Sequence, residues 1–204
     1  MRRLASLALI LALAACADGG RELRQPFEPL GDFRLGHAVV TATNLQKGPV
    51  SRDASKEEWI AAVDAALEER FRRYEGDQLY HLGVSVEGYV LAQPGIPLVL
   101  SPKSVLIVRV SVLRDGEYED VAEARLHPEA KEINVLEAPS ADTLVGSGVT
   151  QTKQEQMTAL SRNAALLIET WMRRQARAEG WFGGLDAVEP AAAGRGEEVA
   201  QAAE

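Results

Sequence analysis

Few side chains in this sequence have reactive chemistry. There is one cysteine, Cys16, and there are three histidines, His37, His81 and His127, among 30 acidic and 22 basic residues that leave a net charge of −8 at pH 7. A thiol can act as a nucleophile, a metal ligand or an acyl acceptor, depending on its surroundings. Cys16 stands in residues 10–20, ILALAACADGG, where an apolar run gives way to small and polar residues. None of the histidines has a second His, Cys, Asp or Glu at metal-ligand spacing, so each reads as a strand residue facing water or satisfied locally, and no metal site is expected. Gly146-Ser147-Gly148, just before the last helix, offers backbone N–H groups that an anion could meet. Lys153 falls outside a G-x-x-x-x-G-K frame, however, and a turn leading into a helix accounts for these glycines. No serine sits in a G-x-S-x-G elbow. No catalytic residue and no cofactor is expected, and nothing argues for an enzyme.

Cys16 is explained by what precedes it. Arg2 and Arg3 form a positive start, residues 4–13 a short apolar run, and Ala14 and Ala15 a small-residue end, the three parts of a secretory signal in order. The run is too short to span a bilayer, which takes about 20 apolar residues. Leu13-Ala14-Ala15-Cys16 resembles the lipobox of bacterial lipoproteins, Leu-(Ala/Ser)-(Gly/Ala)-Cys. That resemblance implies that Cys16 carries a diacylglyceryl thioether and that the chain is cut just before it; the alternative is a plain signal with an incidental cysteine. Two or three acyl chains give stable attachment at about 0.8 kcal/mol per buried CH₂. In the sorting rule of such lipoproteins an aspartate directly after the cysteine favours the inner membrane. Ala17 stands there instead, with Asp18 one further on, which leans toward the outer membrane.

Loss of residues 1–15 would leave 20 basic residues against 30 acidic ones, about −10 overall. So acidic a chain gives no support for nucleic-acid binding or for electrostatic attachment to anionic lipids. An acylated Cys16 also leaves no thiol for a disulfide, so the fold must rest on its own core.

Residues 16–31 are rich in Gly, Pro and charge and read as a lipidated N-terminus and flexible tether. Residues 183–204 form an acidic Ala/Glu/Gly-rich tail too poor in large apolar residues to join a core. Between them, residues 32–182 make one domain. A first strand is expected over residues 35–43. Ser55-Lys56-Glu57-Glu58 is a capping box, S-x-x-E. It opens a helix over residues 56–75 whose apolar stripe holds Trp59, Val63, Leu67, Phe71 and Tyr74, with Gly76 as its left-handed terminator. From Leu82 the period becomes two: Leu82, Val84, Val86 and Val90 point one way, His81, Gly83, Ser85, Glu87 and Tyr89 the other. A proline-broken loop leads to the strongest strand, residues 105–113. Asp115-Gly116 suits a tight hairpin into a weaker strand over residues 118–127, and a short strand over residues 133–136 can follow. Thr152-Lys153-Gln154-Glu155 caps a last helix with Met157, Leu160, Ala164, Leu167 and Trp171 on one face, Arg173, Arg174 and Arg177 near its negative end, and Gly180 closing it. The order β-α-β-β-β-α, with helices apolar on one side only, predicts an α+β two-layer sandwich in which both helices cover one face of a mixed four- to five-stranded sheet.

The other face of that sheet is the candidate binding surface. Val105, Ile107 and Leu113 alternate there with Arg109, and Tyr89 is expected beside them; an exposed apolar patch of this kind marks a partner site. The competing reading is that residues 92–103 or 130–145 fold over it. Trp181-Phe182 poses the same choice between a lock on the domain and a contact with a partner or lipid.

Lipobox, tether and element order together resemble the small bacterial envelope lipoproteins typified by the LptE-like lipopolysaccharide-assembly group, and residues 144–172 resemble the C-terminal segment of an uncharacterised family of small bacterial lipoproteins. The resemblance implies two helices on one face of a mixed sheet. It also implies a periplasmic, membrane-anchored protein, non-enzymatic, that serves as scaffold, assembly factor or accessory subunit with another envelope protein as partner. An alternative function is a small-molecule or lipid-binding module with a pocket between sheet and helices.

Overall fold

The two long helices begin where the capping boxes place them. Ser55 Oγ accepts from the Glu58 N–H at 3.2 Å while Glu58 Oε2 accepts from the Ser55 N–H at 2.8 Å. Thr152 and Glu155 repeat the exchange at 3.2 and 2.7 Å, so both helix starts satisfy donors that would otherwise be orphaned. The computed structural model describes residue 23 and residues 27–93, 104–137 and 151–184. Within them the elements run β1 (Arg34–Thr41), β2 (Gln46–Lys47), α1 (Lys56–Phe71), β3 (Leu79–Val90), β4 (Val105–Arg114), a single turn α2 (Val121–Ala124), β5 (Lys131–Leu136) and α3 (Lys153–Glu179), closed by a 3₁₀ turn, Trp181–Gly183.

The sheet order is β1-β3-β4-β5, with β2 pairing β3 beyond the end of β1. β1 and β2 run parallel to β3, while β3–β4 and β4–β5 are antiparallel. This is the expected α+β two-layer sandwich on a mixed sheet. One core lies between the layers. Val84, Val86, Val108 and Val110 from the sheet meet Leu67, Met157, Leu160 and Ile168 from the helices, each at most 2% exposed. α1 and α3 run in the same direction, clipped by Lys153–Glu58 at 2.5 Å, Arg162–Glu69 at 2.8 Å and Arg70–Glu169 at 2.5 Å.

Four local expectations are corrected. α1 stops at Phe71 rather than at residue 75, and Gly76 is not its left-handed terminator. Gly76 lies where two chain segments cross: a Cβ there would stand 2.3 Å from the Phe33 nitrogen, and its N–H donates to the Phe33 carbonyl at 3.0 Å. The strand expected over residues 118–127 is absent. Asp120 accepts from the Ala122 N–H at 3.1 Å and starts α2, leaving only a bridge between Leu113 and Arg125. The hairpin partner of β4 is β5, and Gly116 does not take the positive φ that a type I′ turn needs. β2 had no signal in the sequence, since two residues are too few for a period.

The ends of the domain are packed. Leu30, placed in the tether on sequence, is fully buried. Phe27 stands edge-on to Tyr74 at 4.9 Å, so the segment from residue 27 onward belongs to the fold. Gly180 takes φ 67° and ends α3 as expected. Trp181 and Phe182 then turn back into the core, Phe182 against Phe33 and Tyr80 at 5.0 and 4.8 Å. Of the two readings of this pair, the structure shows the lock.

Candidate functional site

Pairing register defines the sheet face that the helices leave bare. Across β3 and β4 it carries the pairs His81–Leu113, Gly83–Ser111, Ser85–Arg109, Gly88–Ile107 and Val90–Val105. β5 extends it with Glu132 beside Arg109, Asn134 beside Ile107 and Leu136 beside Val105. Val105, Ile107 and Leu113 are half-buried and Arg109 is exposed, while Leu136 is 60% exposed. A Cβ added at Gly83 would meet nothing within 4 Å, so no described residue covers the middle of this face. In register Arg109 lies between Ser85 and Glu132.

The structure brings together four of the five expected residues of this surface and removes Tyr89. A bulge between Val86 and Gly88 inserts one residue into β3, and because side chains alternate with period two, one extra residue exchanges the faces beyond it. Tyr89 therefore faces the helices, 5% exposed, its ring 5.2 Å from Trp59 and its hydroxyl donating to the Ala54 carbonyl at 3.0 Å. Val90 takes its place outside. The apolar part of the bare face is thus Val90, Val105, Ile107 and Leu136, gathered at the C-terminal end of β3. Residues 131–136 do not fold over it, because they are β5 itself; residues 94–103 and 138–145 lie outside the described residues.

The histidines are not three independent strand residues. His37 and His81 stack at 5.2 Å between ring centres. The His37 N–H donates to His81 Nδ1 at 3.0 Å, and His81 Nε2 lies 3.0 Å from Asp115 Oδ1. An Nδ1 that accepts leaves the proton on Nε2, which donates to the carboxylate. Both ring nitrogens are engaged, so the His–Asp contact has no lone pair to lend to a nucleophile. The imidazole instead satisfies an N–H at the β1 bulge between Leu35 and Ala38. Gly36 makes this possible, since a Cβ there would sit 2.6 Å from the ring. His127 stands apart from the His37–His81 pair: its Nδ1 lies 2.7 Å from the Glu129 carbonyl and 3.4 Å from the Glu129 nitrogen, and its ring is edge-on to Trp171 at 5.9 Å. Among the described residues no three His, Cys, Asp or Glu side chains gather as a metal ion would need.

A polar cluster between the helices was not anticipated. Glu169, 2% exposed, receives Arg70 Nη1 and Arg73 Nη2, each at 2.5 Å, as well as the Tyr74 hydroxyl, with Arg173 Nη2 at 3.5 Å. Burial alone would push the Glu169 carboxyl up; the Tyr74 hydroxyl and the Arg70 and Arg73 charges outweigh it and hold it below its ordinary value. Burial and the neighbouring carboxylate push the Tyr74 phenol up. A signal was present: Arg70 is three residues after Leu67 and Glu169 adjoins Ile168, so a charge of each sign falls on an apolar stripe at helical spacing.

Clefts bounded by described residues open at the surface. One of about 330 Å³ lies between the outer sides of α1 and α3, lined by Ala62, Ala66 and Thr158. Another, of about 230 Å³, lies beside His81 and Tyr118. No described helix is long and apolar enough to cross a membrane. The signal sequence, Leu13, Ala14, Ala15 and Cys16, and Gly146-Ser147-Gly148 lie outside the described residues, as do residues 185–204 of the tail.

No family model and no curated protein matches the chain in sequence. Solved structures resemble it at low identity. A Caulobacter crescentus CB15 protein provisionally assigned as a lipoprotein aligns over 67% of this chain and 90% of its own, at 12% identity and a TM-score of 0.34. The hypothetical protein CT253 of Chlamydia trachomatis aligns over 67% and 97%, at 9% identity and TM-score 0.31. A Helicobacter pylori protein provisionally assigned as a homolog of the neuraminyllactose-binding hemagglutinin aligns over 76% and 97%, at 10% identity and TM-score 0.29. At these values nothing about function passes from those chains to this one.

Proposed function

We propose that this chain is a lipid-anchored protein of the bacterial cell envelope, facing the periplasm and held in the outer rather than the inner membrane, that works without catalysis by binding another envelope protein. The observation that carries the anchor is Leu13-Ala14-Ala15-Cys16 at the end of a signal-like run, with Cys16 the only thiol in the chain. The binding surface is the bare sheet face, with Val105, Ile107, Arg109 and Leu113, joined by Val90 and Leu136. A mixed patch of this kind, apolar at one end and carrying Arg109 within it, has the composition of a protein contact. The packed space between the layers supports this reading over a ligand pocket there.

The anchor is tested by fractionation with palmitate labelling. The chain should label and sediment with membranes. Cys16→Ser replaces the sulfur nucleophile by a hydroxyl of far higher pKa, so the variant should be unlabelled and either soluble or retained with its signal uncut. A correctly cut, labelled Cys16→Ser protein would overturn the reading. The surface is tested by cross-linking in detergent extracts: Ile107→Asp should abolish an adduct that wild type forms, without lowering the melting temperature.

A further inference from the structure

The charge of the chain as a whole conceals a local excess of the opposite sign. Near the C-terminal ends of α1 and α3 the guanidiniums of Arg73, Arg173 and Arg177 meet two carboxylates among the described residues, Glu169 and Glu28. Glu169 takes Arg70 and Arg73 directly. Glu28 takes Arg177 Nη2 at 2.9 Å and lies 3.6 Å from Arg173 Nε. Arg73 spends a single nitrogen on Glu169, and its Nε and Nη1 are buried without a hydrogen-bond partner among the described residues. What covers Arg73 is the ring of Phe27, 4.3 Å from its guanidinium carbon. A cation–π contact attracts the charge but accepts no N–H bond, so those donors remain unspent.

Phe27 and Glu28 adjoin in sequence and form one strap. The first shields the unspent guanidinium, and the second sets a carboxylate between Arg173 and Arg177. Glu28 is 68% exposed, an arrangement easily exchanged with solvent. Guanidinium groups converging from α3 and from the turn after α1 suit a tetrahedral oxyanion better than a planar carboxylate, because a phosphate offers oxygens to several forks at once. We propose that Arg73, Arg173 and Arg177 form a socket for a phosphate group, either free or in a lipid headgroup, which the Phe27–Glu28 strap occupies by mimicry until the phosphate displaces it. The strap is only a short stretch of chain after Cys16, so a headgroup phosphate is within reach if that residue is acylated. The socket itself stands on residues 27–177 and does not require the anchor.

The test uses the full processed chain in a non-ionic detergent, its N-terminal mass recorded so that acylation is scored separately. It is titrated by calorimetry with inorganic phosphate, with dihexanoyl-phosphatidylglycerol and with phosphate-free dihexanoylglycerol, against chloride at matched ionic strength. Saturable binding of either phosphate compound supports the socket, and the tighter of the two identifies the source. Glu28→Gln removes the internal competitor and should tighten binding about two- to fivefold, the worth of an exposed ion pair. Arg173→Gln with Arg177→Gln should weaken it at least about tenfold, while Arg177→Gln alone, which leaves the partners of Glu169 in place, should weaken it less and keep the melting temperature without phosphate near that of wild type. Phe27→Ala provides a second route to the same exposure and should also tighten binding. Equal binding of dihexanoylglycerol, absence of saturation with both phosphate compounds, or affinities unmoved by Glu28→Gln and by the double arginine variant would each overturn the proposal.

Discussion

At the scale of single residues, two features govern what the chain tolerates. Glu169 is a buried carboxylate among three guanidiniums, and neutralising it strands like charges in a place water does not reach. Glu169→Gln should cost about 3–5 kcal/mol at neutral pH. Its carboxyl lies below the ordinary value of 4.5, so the stabilisation is complete above that value and is lost as pH falls through the lower folded value. Melts of wild type and Glu169→Gln should therefore differ widely at pH 7 and converge in acid; a constant gap down to pH 3 would contradict this. The second feature is the Gly36–His81 contact. Gly36→Ala drives a methyl into an imidazole held by two hydrogen bonds, at a cost of about 1–2 kcal/mol. Combined with His81→Ala the same change should be nearly free, and a double-mutant cycle on urea midpoints measures the difference.

At the scale of elements, what the sequence disclosed depended on how many residues carried each signal. Capping boxes fixed the starts of α1 and α3 because two side chains and two N–H groups must agree, and β4 was plain because ten residues of strong β character leave little choice. β3 was legible only up to its bulge: an inserted residue leaves no mark in a hydrophobic alternation, and the bulge decided which of Tyr89 and Val90 points away from the helices. The strand expected at residues 118–127 failed because Asp120 offered its own backbone a local hydrogen bond, which outweighs a weak alternation. Trp171 illustrates a stripe read correctly. It is 5% exposed and edge-on to Trp181 at 5.2 Å, so Trp171→Ala should cost about 3–5 kcal/mol. A thermal melt unchanged within about 2 °C would refute that packing.

At the scale of the whole molecule, net charge is an average that does not describe its distribution: the chain is acidic overall, while Arg73, Arg173 and Arg177 gather at one end of the helix layer. Tether composition likewise hid Leu30, whose flanking prolines and glycine suggested loose chain. Leu30→Ala should cost about 2–5 kcal/mol, and a midpoint of urea unfolding equal to wild type would return the segment to the tether. The packed strap and the C-terminal lock have a joint consequence. The Asp32 N–H donates to the Phe182 carbonyl at 2.7 Å, so the chain enters and leaves the domain at one corner, beside the start of β3. The apolar end of the bare face stands at the finish of the same strand, which is 12 residues long, a rise of about 35 Å. Any load passed through the N-terminus therefore grips the molecule by its heel and holds Val105 and Leu136 out like the head of a gaff. Tension would peel Phe27 and Glu28 first and reach the core only at Leu30, so the strap gives way before the sheet feels any pull.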